Sequence, residues 1–126
     1  MSLDFYPEPF VDLDEFLGLV DHYFDSGDAG ETARNKINEL NCRQDSIIFA
    51  HRFISELKDE KALCVAFCLL NSAISNNWDM LDDSLKEEYK ETYFDYCFST
   101  AESNASTELI LRANMVLISI AKNEWP

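Results

Sequence analysis

The sequence predicts an all-α protein, and three observations carry this prediction. Apolar residues recur every three or four positions along most of the 126 residues, which is the spacing of one face of a helix. Glycine and proline number only three each, too few for a turn-rich β fold. Hydrophobic residues make up 47% of the chain, enough for the core of one domain.

The first residues do not share the helical spacing. Residues 1–11 contain Pro7 and Pro9, and proline fixes its own backbone angle and lacks an amide donor. We therefore expect an extended lead-in over residues 1–11. Helical spacing begins after Asp12, so one helical domain is predicted over residues 12–126.

Six helices are predicted in this domain, and they form three successive hairpins at about 13–41, 43–78 and 83–125. Short polar segments separate the helices, at residues 26–28, 41–44, 58–60, 82–84 and 99–106. Three helix starts show a capping residue three positions before a glutamate, as in a capping box. These pairs are Asp12 with Glu15, Asp28 with Glu31, and Ser84 with Glu87.

Helix pairs that recur about every 40 residues are typical of HEAT and armadillo arrays, in which each pair packs on the next. The predicted fold class is therefore an α-α superhelix, or solenoid, of about three HEAT-like hairpins similar to armadillo repeats. The repeats share periodicity and no literal sequence, so a compact six-helix bundle fits the same pattern. The sequence leaves both arrangements open.

The charge of the chain limits its partners. Lys and Arg total 10 against 24 Asp and Glu, which gives a formal net charge of −14. Such a charge repels phosphate backbones, so direct nucleic-acid binding is not expected. It suits a basic protein partner, because complementary charge speeds encounter. The simpler interpretation is that acidity keeps the chain soluble.

Targeting signals and cysteines indicate the compartment. Residues 1–10 carry acidic residues and two prolines where a secretory signal needs a basic and apolar run. Apolar stretches such as 62–70 are too short to cross a bilayer, so no membrane insertion is expected. The four cysteines show no regular framework and are predicted to be reduced, as in cytosol or nucleus.

No residue pattern predicts catalysis, a cofactor or a metal site. Cys64 and Cys68 stand one helical turn apart but lack the paired spacing of zinc ligands, so they are predicted to be core residues. His22 and His51 adjoin no known nucleophile motif. The acidic residues within 79–91 are explained by their favourable interaction with the positive end of helix dipoles.

Aromatic residues are unusually dense around the third hairpin. We expect most of them to lie in the core and some to form a protein-binding surface, because Tyr and Trp dominate binding hot spots. The set comprises Trp78, Tyr89, Tyr93, Phe94, Tyr96 and Phe98.

Several segments resemble one protein family. Residues 67–81 read FCLLNSAISNNWDML and resemble the second repeat of importin-β-type nuclear transport receptors, the karyopherins. Residues 114–126 read NMVLISIAKNEWP and are similar to the end of the third repeat in exportins that carry leucine-rich nuclear export signals. Residues 3–5, 13–23 and 28–34 also resemble the start of those exportins.

The resemblance implies that residues 12–126 are an importin-β N-terminal-type repeat domain, a fragment of a longer receptor. It implies binding of the small GTPase Ran in its GTP form through the exposed side of the second helix of each hairpin. Cargo proteins and nucleoporins would bind the remaining repeats, and the receptor would shuttle between nucleus and cytoplasm. The residues expected to contact Ran are Arg34, Asn38, Asn71, Ser75, Asn114 and Lys122.

Two questions stay open at the level of sequence. An importin-type receptor and a helical scaffold or adaptor unrelated to Ran are the alternatives to an exportin. Family members usually have a longer link between the second and third helices than residues 41–44, so the angle of the first hairpin is undetermined. A fragment is also expected to expose the apolar flank that its next repeat covers, here around Val116 and Ile120.

Overall fold

The computed structural model describes residues 12–43, 45–103 and 105–124, apart from the side chain of Ala101. Over these ranges the protein is helical, without strands. The predicted lead-in at 1–11 lies outside the described residues. The helices are α1 (Leu13–Tyr23), α2 (Asp28–Asn41), α3 (Ser46–Glu56), α4 (Glu60–Asn77), α5 (Asp83–Glu102) and α6 (Thr107–Glu124), and a 3₁₀ turn at Trp78–Met80 follows α4.

Over the described residues, the all-α class and the six predicted helices are confirmed, and one connector differs. Residues 99–106 were expected to separate the last two helices, but α5 continues to Glu102. The physical reason lies at Thr100, whose hydroxyl donates to the carbonyl oxygens of Tyr96 and Cys97 at 3.0 Å each. Because a threonine can satisfy its hydroxyl within the helix, a polar sequence need not end it.

Aspartates cap three of the helices. Asp12 accepts a hydrogen bond from the Glu15 amide at 2.8 Å, as its spacing predicts. Asp59 caps α4 by accepting from the Ala62 amide at 3.0 Å. Each aspartate satisfies one of the amide groups that have no partner inside the helix.

Two predicted caps are wrong. The N-cap of α2 is Gly27 and not Asp28, and no side chain caps that helix. Gly27 has φ of 89°, a conformation that glycine adopts without the steric cost other residues incur. The N-cap of α5 is Asp82, which accepts from the Leu85 amide at 2.8 Å, so Ser84 lies inside the helix.

Helix α4 lies at the centre of the packing. It packs most extensively against α3 and α6, and it also contacts α1 and α2. A helix surrounded in this way needs apolar residues on more than one stripe. Its buried residues are Ala62, Leu63, Val65, Ala66, Phe67, Leu69, Leu70, Ala73 and Ile74.

Helix contacts follow the order of the chain. Each helix packs on its hairpin partner, α1 on α2, α3 on α4, and α5 on α6. Between hairpins, the Phe16 ring stacks on Phe53 at 4.6 Å between centroids, which joins α1 to α3. The His51 ring stacks on Tyr89 at 4.2 Å, which joins α3 to α5. The second helices of the three hairpins also contact one another in chain order, α2 with α4 and α4 with α6.

The predicted apolar flank is wrong in position. Val116 and Ile120 are buried, at 0% and 4% exposure, because α6 packs against both α4 and α5. The exposed apolar residues of α6 are instead Leu111, Met115 and Ile118, which follow one another at helical spacing.

Candidate protein-binding surfaces

The second helices, α2, α4 and α6, carry the six residues that the resemblance assigns to Ran. Four of them, Asn38, Ser75, Asn114 and Lys122, are exposed. Arg34 and Asn71 are half-buried, in contrast to the expectation that all six stand on the exposed side. The contacts of these two residues explain the difference.

Arg34 closes the connection between α1 and α2. Its Nη1 atom donates to the carbonyl oxygens of Tyr23 at 2.8 Å and Asp25 at 3.0 Å. Carbonyl groups at the end of a helix lack partners within the helix, and a guanidinium satisfies them with favourable charge. Arg34 therefore links α2 to the end of α1 and stabilises the first hairpin.

Asn71 joins α4 to α6. Its Oδ1 atom accepts a hydrogen bond from the Ser119 hydroxyl, 48 positions later in the chain. Its backbone oxygen accepts from the Ser75 hydroxyl at 3.1 Å. Two residues of the expected Ran set, Asn71 and Ser75, thus belong to one hydrogen-bonded group on α4.

Shallow grooves separate the second helices. The groove between α4 and α6 is lined by Phe67, Cys68, Asn71, Arg112 and Met115. A second groove between α2 and α4 includes Asn38 and Asn41, and the Oδ1 atom of Asn41 is buried without a partner in the described part of the chain. Polar side chains along grooves of this kind suit hydrogen bonding to another protein.

The cysteines beside these grooves are suited to packing. The sequence predicted that Cys64 and Cys68 are core residues. In the structure both are half-buried and lie at the edge of the core. Burial raises the pKa of both thiols. A thiol that stays protonated is a poor nucleophile and a poor metal ligand.

The dense aromatic set divides between core and surface. Trp78, Tyr89 and Tyr93 are buried, and Tyr96 is half-buried against Phe67 at 5.0 Å between centroids. Phe94 and Phe98 are exposed, at 58% and 60%. Phe94 and Phe98 are therefore the exposed members of this set, and their participation in a protein-binding surface stays a prediction.

Glu124 anchors the end of α6, a role that the sequence did not reveal. It accepts from the buried Trp78 indole nitrogen at 3.2 Å and from Lys90 Nζ at 2.7 Å. The hydrogen bonds from Lys90 and Trp78 lower the pKa of the Glu124 carboxyl. Glu124 belongs to the segment 114–126 that was expected to match the exportin ending, of which Trp125 and Pro126 lie outside the described residues.

Charge is unevenly distributed among the helices. Helix α5 carries six acidic residues and two lysines. Helices α4 and α6 carry as many basic as acidic residues, and α2 carries one more acid than bases. The acidic character of the chain is therefore weak on the second helices and strong on α5.

Within residues 12–43, 45–103 and 105–124, no three His, Cys, Asp or Glu side chains converge as metal ligands would. None of the helices in the described part of the chain combines the length and apolarity needed to cross a membrane.

Comparison with protein-family models, with curated proteins and with solved structures found no match.

Proposed function

We propose that this chain is the Ran·GTP-binding, N-terminal portion of a nuclear export receptor, and that it binds proteins without catalysis. The observation that carries the proposal is that α4 packs against both α2 and α6. The exposed polar residues Asn38, Ser75 and Asn114 therefore stand on neighbouring helices. Successive helices that present such residues form the binding surface of helical arrays. The resemblance at residues 67–81 and 114–126 supplies the identity of the partner.

The three hairpins form, in this proposal, a HEAT-like solenoid and not a compact bundle. The extensive contacts among the described helices join only hairpin partners and neighbouring hairpins. A compact bundle would bring the first and third hairpins together around a shared core. Contacts between successive units are the property that makes solenoids quasi-one-dimensional.

Ran·GTP would act as a linked ligand. In an exportin, Ran·GTP raises the affinity for cargo, and cargo raises the affinity for Ran·GTP by the same factor. In an importin, the coupling has the opposite sign. The similarity of residues 114–126 to exportins favours the first. Cargo and nucleoporins would bind further repeats of the receptor, which would move between nucleus and cytoplasm.

The test is titration of the chain with Ran loaded with a non-hydrolysable GTP analogue and, separately, with GDP. Isothermal titration calorimetry reports affinity directly. We expect binding of the GTP form to be at least about tenfold tighter, which corresponds to about 1.4 kcal/mol. Equal affinity for both forms, or no binding, would contradict the assignment to Ran.

A matched pair of variants locates the surface. Asn114→Ala with Lys122→Ala removes two exposed side chains of α6. Thr92→Ala with Lys58→Ala removes exposed side chains outside the second helices and makes the same change in net charge. We expect the first variant to weaken binding about fivefold to tenfold and the second to leave it nearly unchanged. Equal weakening of Ran binding by both variants would indicate that the loss comes from the change in net charge and not from the surface of α6.

A helical scaffold or adaptor unrelated to Ran is the second candidate. It is favoured by the exposed apolar residues of α6, Leu111, Met115 and Ile118, since an apolar stripe can bind many partners. The same titration separates the candidates, because an adaptor has no reason to distinguish the two nucleotide states.

A further inference from the structure

The exposed face of α5 holds two neighbouring phenylalanines. Phe94 and Phe98 are 58% and 60% exposed, and their ring centroids lie 6.2 Å apart. They are one helical turn apart, so both rings stand on the same side of the helix. Tyr89 and Tyr93 are buried and make ring contacts with His51 of α3, so this aromatic pair is separate from the core cluster.

Acidic residues flank the phenylalanine pair. Glu91, Asp95 and Glu102 are exposed, and within the described part of the chain none of them forms an ion pair. Glu91 and Asp95 are four positions apart, a spacing at which like charges destabilise a helix. Lys90 does not offset them, because its Nζ atom binds Glu87 at 2.5 Å and Glu124 at 2.7 Å. This face is therefore not arranged to stabilise the helix.

Elsewhere in the protein, an arginine side chain contacts an aromatic ring and a carboxylate at the same time. The guanidinium carbon of Arg43 lies 4.9 Å from the centroid of the Phe49 ring. The same guanidinium donates to both carboxylate oxygens of Asp45, at 2.9 Å and 3.1 Å. Arginine suits this dual contact because its planar group stacks on rings and also pairs with carboxylates in a bidentate manner.

We propose that the face of α5 formed by Glu91, Phe94, Asp95, Phe98 and Glu102 docks an arginine-rich segment of a partner protein. The guanidinium groups lie over the two phenylalanine rings and pair with the flanking carboxylates. This surface is on a first helix, whereas the surface proposed for Ran is on the second helices. The two surfaces share no residue and are tested with different ligands, so the two proposals fail or succeed separately.

The test uses a fluorescein-labelled oligoarginine peptide of about nine residues and an oligolysine peptide of equal length. Binding is measured by fluorescence anisotropy on the whole chain. Phe94→Ala with Phe98→Ala leaves the net charge unchanged, and we expect it to weaken oligoarginine binding about tenfold. Phe24→Ala is the control, because Phe24 is 62% exposed and lies on the α1–α2 connection. We expect it to change binding by less than about twofold.

A second pair of variants separates local from general attraction. Glu91→Gln with Asp95→Asn changes the net charge by as much as Asp21→Asn with Glu39→Gln, at exposed positions outside α5. We expect a markedly larger loss of oligoarginine affinity from the first pair at equal salt. Equal losses from both pairs, or equal affinity for oligoarginine and oligolysine, would overturn the proposal and indicate general polyanion behaviour.

A second copy of the chain is the other possible occupant of this face. Sedimentation velocity of the unmutated chain detects it. A dimer that disappears in the Phe94→Ala, Phe98→Ala variant would overturn the proposal in favour of self-association. A monomer whose oligoarginine binding depends on both phenylalanines would support it. Circular dichroism confirms that each variant is folded, which we expect because all substituted side chains are exposed.

Discussion

At the scale of single residues, Gly30 and Arg34 define how α1 turns into α2. Gly30 is buried in the first turn of α2, and a Cβ atom there would clash with the carbonyl oxygen of Asp25. That same oxygen accepts a hydrogen bond from Arg34 at 3.0 Å. The connection can approach α2 so closely only because residue 30 has no side chain. Gly30 and Arg34 both belong to the stretch 28–34, one of the segments on which the proposed assignment to exportins rests.

Substitution of Gly30 tests this close approach. Alanine is a better helix former than glycine by about 1 kcal/mol. Even so, we expect Gly30→Ala to lower the free energy of unfolding by about 1–3 kcal/mol, because the connection must move and the Arg34 contacts weaken. Gly18→Ala is the matched control, because nothing lies within 4 Å of a Cβ at this exposed position of α1. It should raise the free energy of unfolding by about 0.5–1 kcal/mol.

Urea denaturation followed by circular dichroism gives both values. If Gly30→Ala were as stabilising as Gly18→Ala, the close approach of the connection to α2 would be wrong.

At the scale of helices, the contact between α3 and α5 depends on a histidine. His51 stacks on Tyr89, and its Nδ1 atom lies 2.6 Å from the Tyr93 hydroxyl. Burial lowers the pKa of His51 below its ordinary value of 6.5, and the negative charge of Glu88 opposes that shift. Burial also raises the pKa of Tyr93. Both groups are therefore neutral in the folded protein near pH 7.

The stability of the protein should consequently depend on pH in a definite direction. The unfolded chain binds a proton at His51 more readily than the folded chain does. The stabilising contribution is therefore complete above pH 6.5 and is lost as the pH falls through the lowered folded-state pKa. We expect the free energy of unfolding to decrease on acidification below pH 6.5, and the decrease to be smaller in His51→Gln. Urea denaturation at a series of pH values measures it.

His22→Gln is the control for the second histidine, which is exposed and contacts Asp25 at 3.0 Å. We expect this variant to retain the acid-induced loss. A His51→Gln protein with an unaltered pH profile would contradict the presence of a neutral, half-buried histidine between α3 and α5.

At the scale of the whole molecule, the excess of acidic residues opposes folding. A net charge of −14 on 126 residues produces repulsion that is stronger in the compact state than in the unfolded chain. Favourable ion pairs exist, such as Arg112 with Glu108 at 2.8 Å, but exposed pairs contribute little. Repulsion among the remaining acidic residues should therefore dominate the response to salt.

Sodium chloride should stabilise the protein. Raising ionic strength from about 0.01 M to about 0.15 M shortens the screening length from about 30 Å to about 8 Å. We expect the free energy of unfolding in urea to increase by on the order of 1 kcal/mol over this range. The Glu91→Gln, Asp95→Asn variant should respond less, because it removes two adjacent charges. A decrease in stability with salt would show that ion pairs outweigh repulsion.

The sequence predicted features that depend on neighbours in the chain. The cap at Asp12 needs only an amide three residues later, so its spacing was sufficient. The helical spacing of apolar residues likewise placed a helix in the second half of the hairpin at 43–78, where α4 runs over Glu60–Asn77. The cap of α5 was misplaced because Asp82, Asp83 and Ser84 all have side chains that can cap a helix, and local spacing does not choose among them.

The candidate surface was only partly predictable, for a different reason. Asn71 looks like any exposed polar residue of a helix, but its partner Ser119 is 48 positions away. Val116 and Ile120 were expected to be exposed, yet α6 turns them towards its neighbours and leaves Ile118 outside. Helical periodicity gives the faces of a helix, but it does not say which face meets another helix.

By itself, the sequence determined the all-α class, the number of helices, their hairpin order and the strongly acidic charge, because these follow from local spacing and composition. The tertiary structure alone decided that Arg34 and Asn71 are committed to internal contacts and that Phe94 and Phe98 are exposed beside acidic residues. The physical reason is that exposure and hydrogen-bond partners depend on how helices approach each other across long sequence separations. Local periodicity carries no information about that approach.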